Sequence, residues 1–257
     1  MHSRDPITGY LVYVNGQAAK FDGSNNIGVS IDGNADPLPY DADTTFTVSA
    51  DTPEAMAAKA TSYAGAQSLK VKLTGELALD FARVAAIRAA RPDVWLGVDG
   101  NQGFARRDLD ALVAGLVVHD VSLLEQPLAR GHDAELEGFR SPIPIAGDES
   151  LLSLADIPGA VGRFDVVNIK LDKCGGLTEG LLMAAEARRL GLGVMVGTMV
   201  GTSLATAPGF VLGQLADLVD LDGPTFLAQD RSPSVTYADG TLFAGSDVWG
   251  AGTPQSA

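Results

Sequence analysis

The sequence predicts an α/β fold, a (β/α) barrel of the TIM type with eight parallel strands, plus short N- and C-terminal β segments. Three observations predict it. Eight short apolar runs alternate with helix-patterned stretches between residues 45 and 221. The runs are largely continuous in hydrophobicity, as in parallel strands covered on both faces. A polar or charged residue closes nearly every run, one strand-helix unit after the last. A doubly wound open sheet is the alternative.

Residues 1–40 read as an irregular or β-hairpin segment, 41–225 as the barrel, and 226–257 as a C-terminal hairpin and tail. In the first segment, Tyr10 to Val14 and Ile27 to Ile31 are strand-like runs separated by Gly16, Gly23, Asn25 and Asn26. Asp36-Pro37-Leu38-Pro39 reads as a linker, because proline disfavours regular structure on both sides.

The barrel rhythm then begins. Thr45 to Ser49 is the first strand, and Asp51-Thr52-Pro53-Glu54 opens a helix with a capping residue and a proline in its first turn. Strand 69–73 leads to a long amphipathic helix that runs through about Ala90 and is stopped by Pro92. Val94 to Val98 is a strand and Arg107 to Val118 a helix. Val121 to Leu124 is a strand, with a weaker helix from Ala134 to Phe139. Ile143 to Ala146 is followed by helical residues from Leu154 to Val161, and Asp165 to Ile169 by a helix from Leu177 to Leu190 closed by Gly191. Gly193 to Val196, a helix from Leu204 to Ala216, and Leu218 to Leu221 complete the eight units. Ser234 to Tyr237 and Thr241 to Ala244 then form a hairpin across an Asp-Gly turn.

Composition limits the function. The 257 residues are 46% hydrophobic and 19% charged, enough for a large buried core. With 18 basic and 32 acidic residues the formal charge is -14, and no Lys/Arg cluster stands out, which argues against nucleic acid and anionic membranes. The single cysteine, Cys174, excludes an intramolecular disulfide and a cysteine-zinc cluster. No run is long enough to span a membrane and no secretory signal is visible, so a cytoplasmic protein, open to homo-oligomerisation, is expected.

The candidate chemistry lies at the strand ends. Lys72, Asp99, Glu125, Asp148, Lys170 and Asp222 are separated by 27, 26, 23, 22 and 52 residues, the last interval skipping strand 7. In a barrel these ends form one ring, so all six converge on one pocket. Asp99, Glu125 and Asp148 on consecutive strands suit a hard cation such as Mg²⁺. Each could instead cap a helix or pair with arginine, and Asn101 and Glu149 are neighbours able to exchange roles with Asp99 and Asp148. Lys72 and Lys170 sit on strands 2 and 6, across the pocket from one another. Lys70 shares a strand face with Lys72. Two lysines flanking a cation suit abstraction of a proton α to a carboxylate on one face and its return on the other. Helix or loop capping is the alternative for Asp222 and Asp220.

Lys70-Val71-Lys72, Asp99-Gly100-Asn101-Gln102, Glu125-Gln126-Pro127, Gly147-Asp148-Glu149-Ser150 and Asn168-Ile169-Lys170-Leu171-Asp172-Lys173-Cys174-Gly175-Gly176 resemble the enolase superfamily, muconate-lactonizing subgroup. Asp220-Leu221-Asp222-Gly223-Pro224 resembles the dipeptide epimerases of the L-Ala-D/L-Glu type. The resemblance covers about residues 40 to 245. It implies a Mg²⁺-dependent 1,1-proton transfer through an enediolate, with Lys72 and Lys170 catalytic and Asp99, Glu125 and Asp148 holding the metal. It also implies that Lys70, Asp220 and Asp222 bind a small dipeptide, the Asp-x-Asp pair taking its ammonium group. Runners-up are an o-succinylbenzoate synthase or cycloisomerase of the same subgroup, and a catalytically inactive metal-binding barrel. The family places an α+β capping domain before the barrel, whereas about 40 dissimilar residues precede strand 1 here. Weakened water exclusion and side-chain selection are therefore expected.

His2, His119 and His132 fall away from strand ends, so a His-Asp base is not expected. Cys174 reads as a packed thiol, and Gly197-Thr198-Met199-Val200-Gly201 as pocket wall, because it lacks the Gly-Lys-Ser/Thr ending of a phosphate loop.

Overall fold

The computed structural model describes residues 41–249, together with four strand segments ahead of them, Arg4–Asp5, Gly9–Val14, Gln17–Phe21 and Val29–Ser30. Those four pair antiparallel in their chain order. The linker expected at Asp36–Pro39 and the tail beyond Trp249 lie outside the described residues.

Eight parallel strands follow: β1 (Phe46–Val48), β2 (Ser68–Lys72), β3 (Trp95–Asp99), β4 (Leu123–Glu125), β5 (Ile145–Gly147), β6 (Val166–Lys170), β7 (Gly193–Gly197) and β8 (Leu218–Asp220). Each pairs with its sequence neighbour, so spatial order equals chain order, as barrel closure requires. Registers such as Lys72↔Asp99 and Asp99↔Glu125 bring successive strand ends level.

The seam between β8 and β1 is closed largely by side chains standing in for backbone groups. Thr45 N–H donates to Val219 O at 2.8 Å. Beside it, Leu221 N–H donates to Thr44 Oγ1 at 3.0 Å, and Thr47 N–H to Asp222 Oδ2 at 2.5 Å. Two short strands therefore seal the barrel without a full ladder.

The helices are α1 (Pro53–Ser62), α2 (Leu77–Ala90), α3 (Leu109–Val117), α4 (Ile157–Ala160), α5 (Leu171–Cys174), α6 (Leu177–Arg189) and α7 (Ser203–Gly213). The predicted start of α1 is present: Thr52 Oγ1 caps Ala55 N–H at 3.2 Å and Pro53 takes the first position. Two expected helices are shorter than predicted. Ala134 to Phe139 contributes only to a 3₁₀ turn, Asp133–Leu136, after which Gly138 adopts a positive φ. Leu154 to Val161 divides into a 3₁₀ turn, Leu154–Asp156, and the single turn α4, with Gly162 in the left-handed region just beyond.

Alternation along the strands sorts the core. Leu69, Val71, Leu96, Val98, Leu124, Val167, Ile169, Val194 and Val196 are buried in the large apolar core shared with the helices. The opposite parity forms a separate plug of Leu123, Ala146 and Met195, with Trp95, Val166 and Leu218 packed on it. The residues two steps further along these strands are Gly97, Glu125, Asp148, Asn168, Gly197 and Asp220. The polar layer therefore rests on an apolar floor, which strengthens every electrostatic interaction in it.

After the barrel, Thr236–Ala238 and Thr241–Phe243 form the expected hairpin. Asp239 and Gly240 have φ of 51° and 85°, the two left-handed residues of a type I′ turn. Thr241–Phe243 also pairs antiparallel with Asp41–Asp43, just ahead of β1. Tyr237 OH donates to Leu221 O at 2.7 Å, and the Tyr237 and Phe46 rings meet edge-on at 5.7 Å, so the hairpin braces the seam from outside.

Replacing Thr44 with valine keeps its shape but leaves the buried Leu221 N–H without an acceptor. Urea unfolding of Thr44→Val should show about 1–3 kcal/mol lower stability at an unchanged denaturant slope.

Candidate active site

Five acids and four lysines gather at the C-terminal strand ends. Asp99 ends β3, Glu125 ends β4, Asp148 follows β5 directly, and each is buried. One carboxylate oxygen from each lies within 4.8 Å of the others. Lys72 at the end of β2 donates to Asp99 Oδ2 at 2.6 Å, and Lys170 at the end of β6 donates to Asp148 Oδ2 at 2.6 Å. The order around the rim is thus lysine, acid, acid, acid, lysine on five consecutive strands.

Lys70 lies one layer deeper. Its ammonium donates to Glu125 Oε2 at 3.1 Å, pairs closely with Asp220, and stands 3.9 Å from Asp99 Oδ2. Burial pulls it down, but Asp220, Glu125 and Asp99 more than offset this and hold it well above the ordinary lysine value. Burial likewise pulls Lys170 down while Asp148 and Glu125 push it up, and the balance lies above the ordinary value. Glu125 has the opposite problem. Burial and then Asp99 raise it, against Lys70, to about 7. Asp148 is lowered: burial raises it, but Lys170 and Lys173 together overcome that.

Several further side chains hold these acids. Asn168 Nδ2 donates to Glu125 Oε1 at 2.7 Å. Gln126 Oε1 accepts from Asp148 N–H at 2.8 Å, and its Nε2 reaches Ser150 Oγ at 2.9 Å. Lys173 pairs with Asp148 Oδ1 and with Asp148 O at 2.5 Å. Its spacing from Lys170, i and i+3 across the turn α5, was the available signal. The β2–α2 corner is fixed by Asp80, which accepts from Thr74 N–H at 3.1 Å and Gly75 N–H at 2.9 Å while pairing with Arg83 at 2.8 Å.

The skipped strand has a physical explanation. A Cβ on Gly197, at the end of β7, would stand 2.9 Å from Lys170 Cε and 2.9 Å from Asn168 Oδ1. Strand 7 carries no functional side chain there because the space belongs to Lys170.

At β8, Asp220 and Asp222 are both buried. Asp222 accepts from Thr47 N–H at 2.5 Å and Thr47 Oγ1 at 3.4 Å, and burial followed by Asp220 raises it to about 7. Asp220 pairs with Lys70 through one oxygen, while its Oδ1 is buried with no partner. A cavity of about 360 Å³ opens over the layer. It is lined by the four lysines, Asp148, Asp220 and Asp222, with Thr198, Met199, Val200 and Phe226 on one wall. The expected wall role of the 197–201 segment is therefore met.

The remaining candidates lie apart. His119 follows the end of α3, exposed His132 pairs with Glu135 at 2.7 Å, and half-buried Cys174 contacts Gly176 O. Among the described residues no helix is long and apolar enough to cross a membrane.

Comparison with known proteins finds relatives over most of the chain. Residues 54–243 match the family model described as enolase C-terminal domain-like. The chain is 43% identical over 205 residues to an N-acetyl-D-glutamate racemase of Pseudoalteromonas sp., a match covering 79% of the chain and 64% of that protein. It is 43% identical over 207 residues to the L-Ala-D/L-Glu epimerase of Escherichia coli K12, covering 80% of the chain and 64% of the relative. A dipeptide epimerase from Methylococcus capsulatus, solved in complex with Mg, superposes with a TM-score of 0.74 at 30% identity, over 79% of this chain and 62% of that one. The chain thus spans less than two thirds of the length of the proteins it matches.

The position of Asp222 yields a stability prediction. Its pKa in the fold, about 7, lies above the ordinary carboxylate value, so its ionisation destabilises the fold increasingly as pH rises from about 4 and levels off above 7. Asp222→Asn keeps an acceptor for Thr47 and removes the charge. Its melting temperature should exceed that of the parent by a few degrees at pH 8, and the gain should shrink toward pH 4.5.

Proposed function

The chain belongs to the enolase C-terminal domain-like family, and from that premise we propose that it is the catalytic barrel of a Mg²⁺-dependent dipeptide epimerase of the L-Ala-D/L-Glu type. The observation that carries this reading is the rim itself. Lysines on β2 and β6 flank three buried carboxylates on β3, β4 and β5.

The donor set fits a hard dication. Three buried carboxylates with oxygens within 4.8 Å repel one another, and burial together with that repulsion drives Glu125 to about 7. Asp99, Glu125 and Asp148 are the residues that would hold the ion. When bound, Mg²⁺ supplies positive charge against the negative charge that develops on the substrate carboxylate as the α-proton leaves.

The chain's own residues supply the rest. In one direction the neutral amine of Lys72 takes the α-proton, and the ammonium of Lys170 gives a proton to the opposite face of the same carbon. The stereocentre is inverted, leaving Lys72 charged and Lys170 neutral, and the roles exchange for the other isomer. Asp220 has a buried, unpartnered Oδ1 beside Asp222, which suits the ammonium group of a dipeptide. The apolar floor and the Met199, Val200 and Phe226 wall present apolar surface around the cavity.

Identity to the N-acetyl-D-glutamate racemase, equal to that shown with the epimerase, favours a second reading, racemisation of an N-acyl amino acid. Such a substrate has no ammonium for Asp220, so that residue discriminates between them.

Incubation of the chain with L-Ala-L-Glu or L-Ala-D-Glu and Mg²⁺ in D₂O should place deuterium at the α-carbon of the glutamate residue. N-acetylglutamate under the same conditions tests the second reading. Lys72→Ala and Lys170→Ala should each lower epimerisation by roughly 10²–10⁴-fold, while one isomer still exchanges in each variant. Removing the metal with EDTA should abolish exchange and adding Mg²⁺ should restore it. Full epimerisation by either lysine variant would exclude the two-base scheme.

A further inference from the structure

We propose that Lys173 is a positioning residue that holds Asp148 in place while Lys170 leaves it to reach the substrate; this rests on the two-lysine reading above.

Lys170 and Lys173 divide one carboxylate between them. Lys170 Nζ is 2.6 Å from Asp148 Oδ2, and Lys173 Nζ pairs with Oδ1. Lys170 cannot stay in that contact and also reach a carbon bound above the rim. Its departure would remove one of the contacts that orient Asp148 and one of its two cationic partners. Lys173 meets both needs. It contacts the backbone carbonyl of Asp148 at 2.5 Å and that of Asn168 at 3.4 Å, so it grips the residue after β5 and the middle of β6 as well as the carboxylate. Those backbone contacts do not depend on where Lys170 points.

The local fold fixes the difference between the two amines. Lys170 is the last residue of β6, and Lys173 lies one turn later in α5, where the chain is pinned again by Asp172 Oδ2 accepting from Met199 N–H at 3.2 Å. Lys170 Nζ donates to a single oxygen, Asp148 Oδ2, whereas Lys173 is held by three oxygen atoms. One lysine is therefore built to move and the other to stay.

The test compares the parent chain with Lys173→Met and Lys173→Arg. α-Proton exchange of L-Ala-L-Glu and L-Ala-D-Glu is followed separately in D₂O at saturating Mg²⁺, and Mn²⁺ is titrated into each metal-free protein. The isomer served by Lys170 is the one that Lys72→Ala still exchanges. Lys173→Met should slow exchange of that isomer by about tenfold or more relative to the other, Lys173→Arg should recover most of it, and Mn²⁺ affinity should not fall enough to account for the loss. Equal slowing of both isomers, recovery on adding more cation, or no slowing at all would overturn the role given to Lys173 and leave the two-lysine reading intact. A parent chain that exchanges neither isomer would overturn that reading and this inference with it.

Discussion

Mutual neutralisation of buried charge is the constraint on which the rest of this structure depends. Asp99, Glu125, Asp148, Asp220 and Asp222 are all buried at one end of the barrel, on an apolar floor that gives them no solvation. They are tolerable there because Lys70, Lys72, Lys170 and Lys173 interleave with them. Such a layer is not a source of stability. Buried ion pairs are often matched or exceeded by apolar residues of the same volume, and breaking one side of a pair costs about 3–5 kcal/mol. The layer instead concentrates opposite charges beneath a cavity of about 360 Å³.

The same constraint binds site to fold at the seam. β1 and β8 are only three residues each, too short to close the barrel by a ladder of their own. Thr44 and Asp222 supply acceptors where strand carbonyls would otherwise be needed. Asp222 consequently has both oxygens turned toward Thr47, whereas Asp220 keeps one oxygen without a partner. Two acids that look equivalent in an Asp-x-Asp motif are physically different. One serves mainly to close the barrel, and the other has unspent acceptor capacity.

The barrel and its rim were legible because both follow from periodicity. A strand ends where an apolar run meets a charge, and one strand-helix unit recurs at a near-constant interval, so Lys72, Asp99, Glu125, Asp148 and Lys170 announce themselves by position. What periodicity does not encode was missed. Thr47, Gln126 and Asn168 act through hydrogen bonds to partners 175, 22 and 43 residues away in the chain. The short fourth and fifth connections were overread as helices, because apolar spacing over one turn cannot be distinguished from a 3₁₀ turn. The hairpin was legible from Asp239-Gly240, but its pairing with Asp41–Asp43 is a long-range contact with no local signature.

Gly197 shows how an apparent gap in a motif can be part of it. A rule that expects a charged residue at every strand end reads strand 7 as blank. The structure shows that a methyl group there would press on Lys170 Cε and Asn168 Oδ1. On the proposed two-lysine scheme, Lys170 satisfies Asp148 when the site is empty of substrate and gives it up when substrate arrives. A side chain that alternates between two partners requires a second cation to take over its charge, and Lys173 is placed to provide it. The asymmetry between the two ends of the rim follows from this: Lys72 shares Asp99 with the deeply buried Lys70 at 3.9 Å, whereas Lys170 shares Asp148 with a neighbour anchored to the backbone.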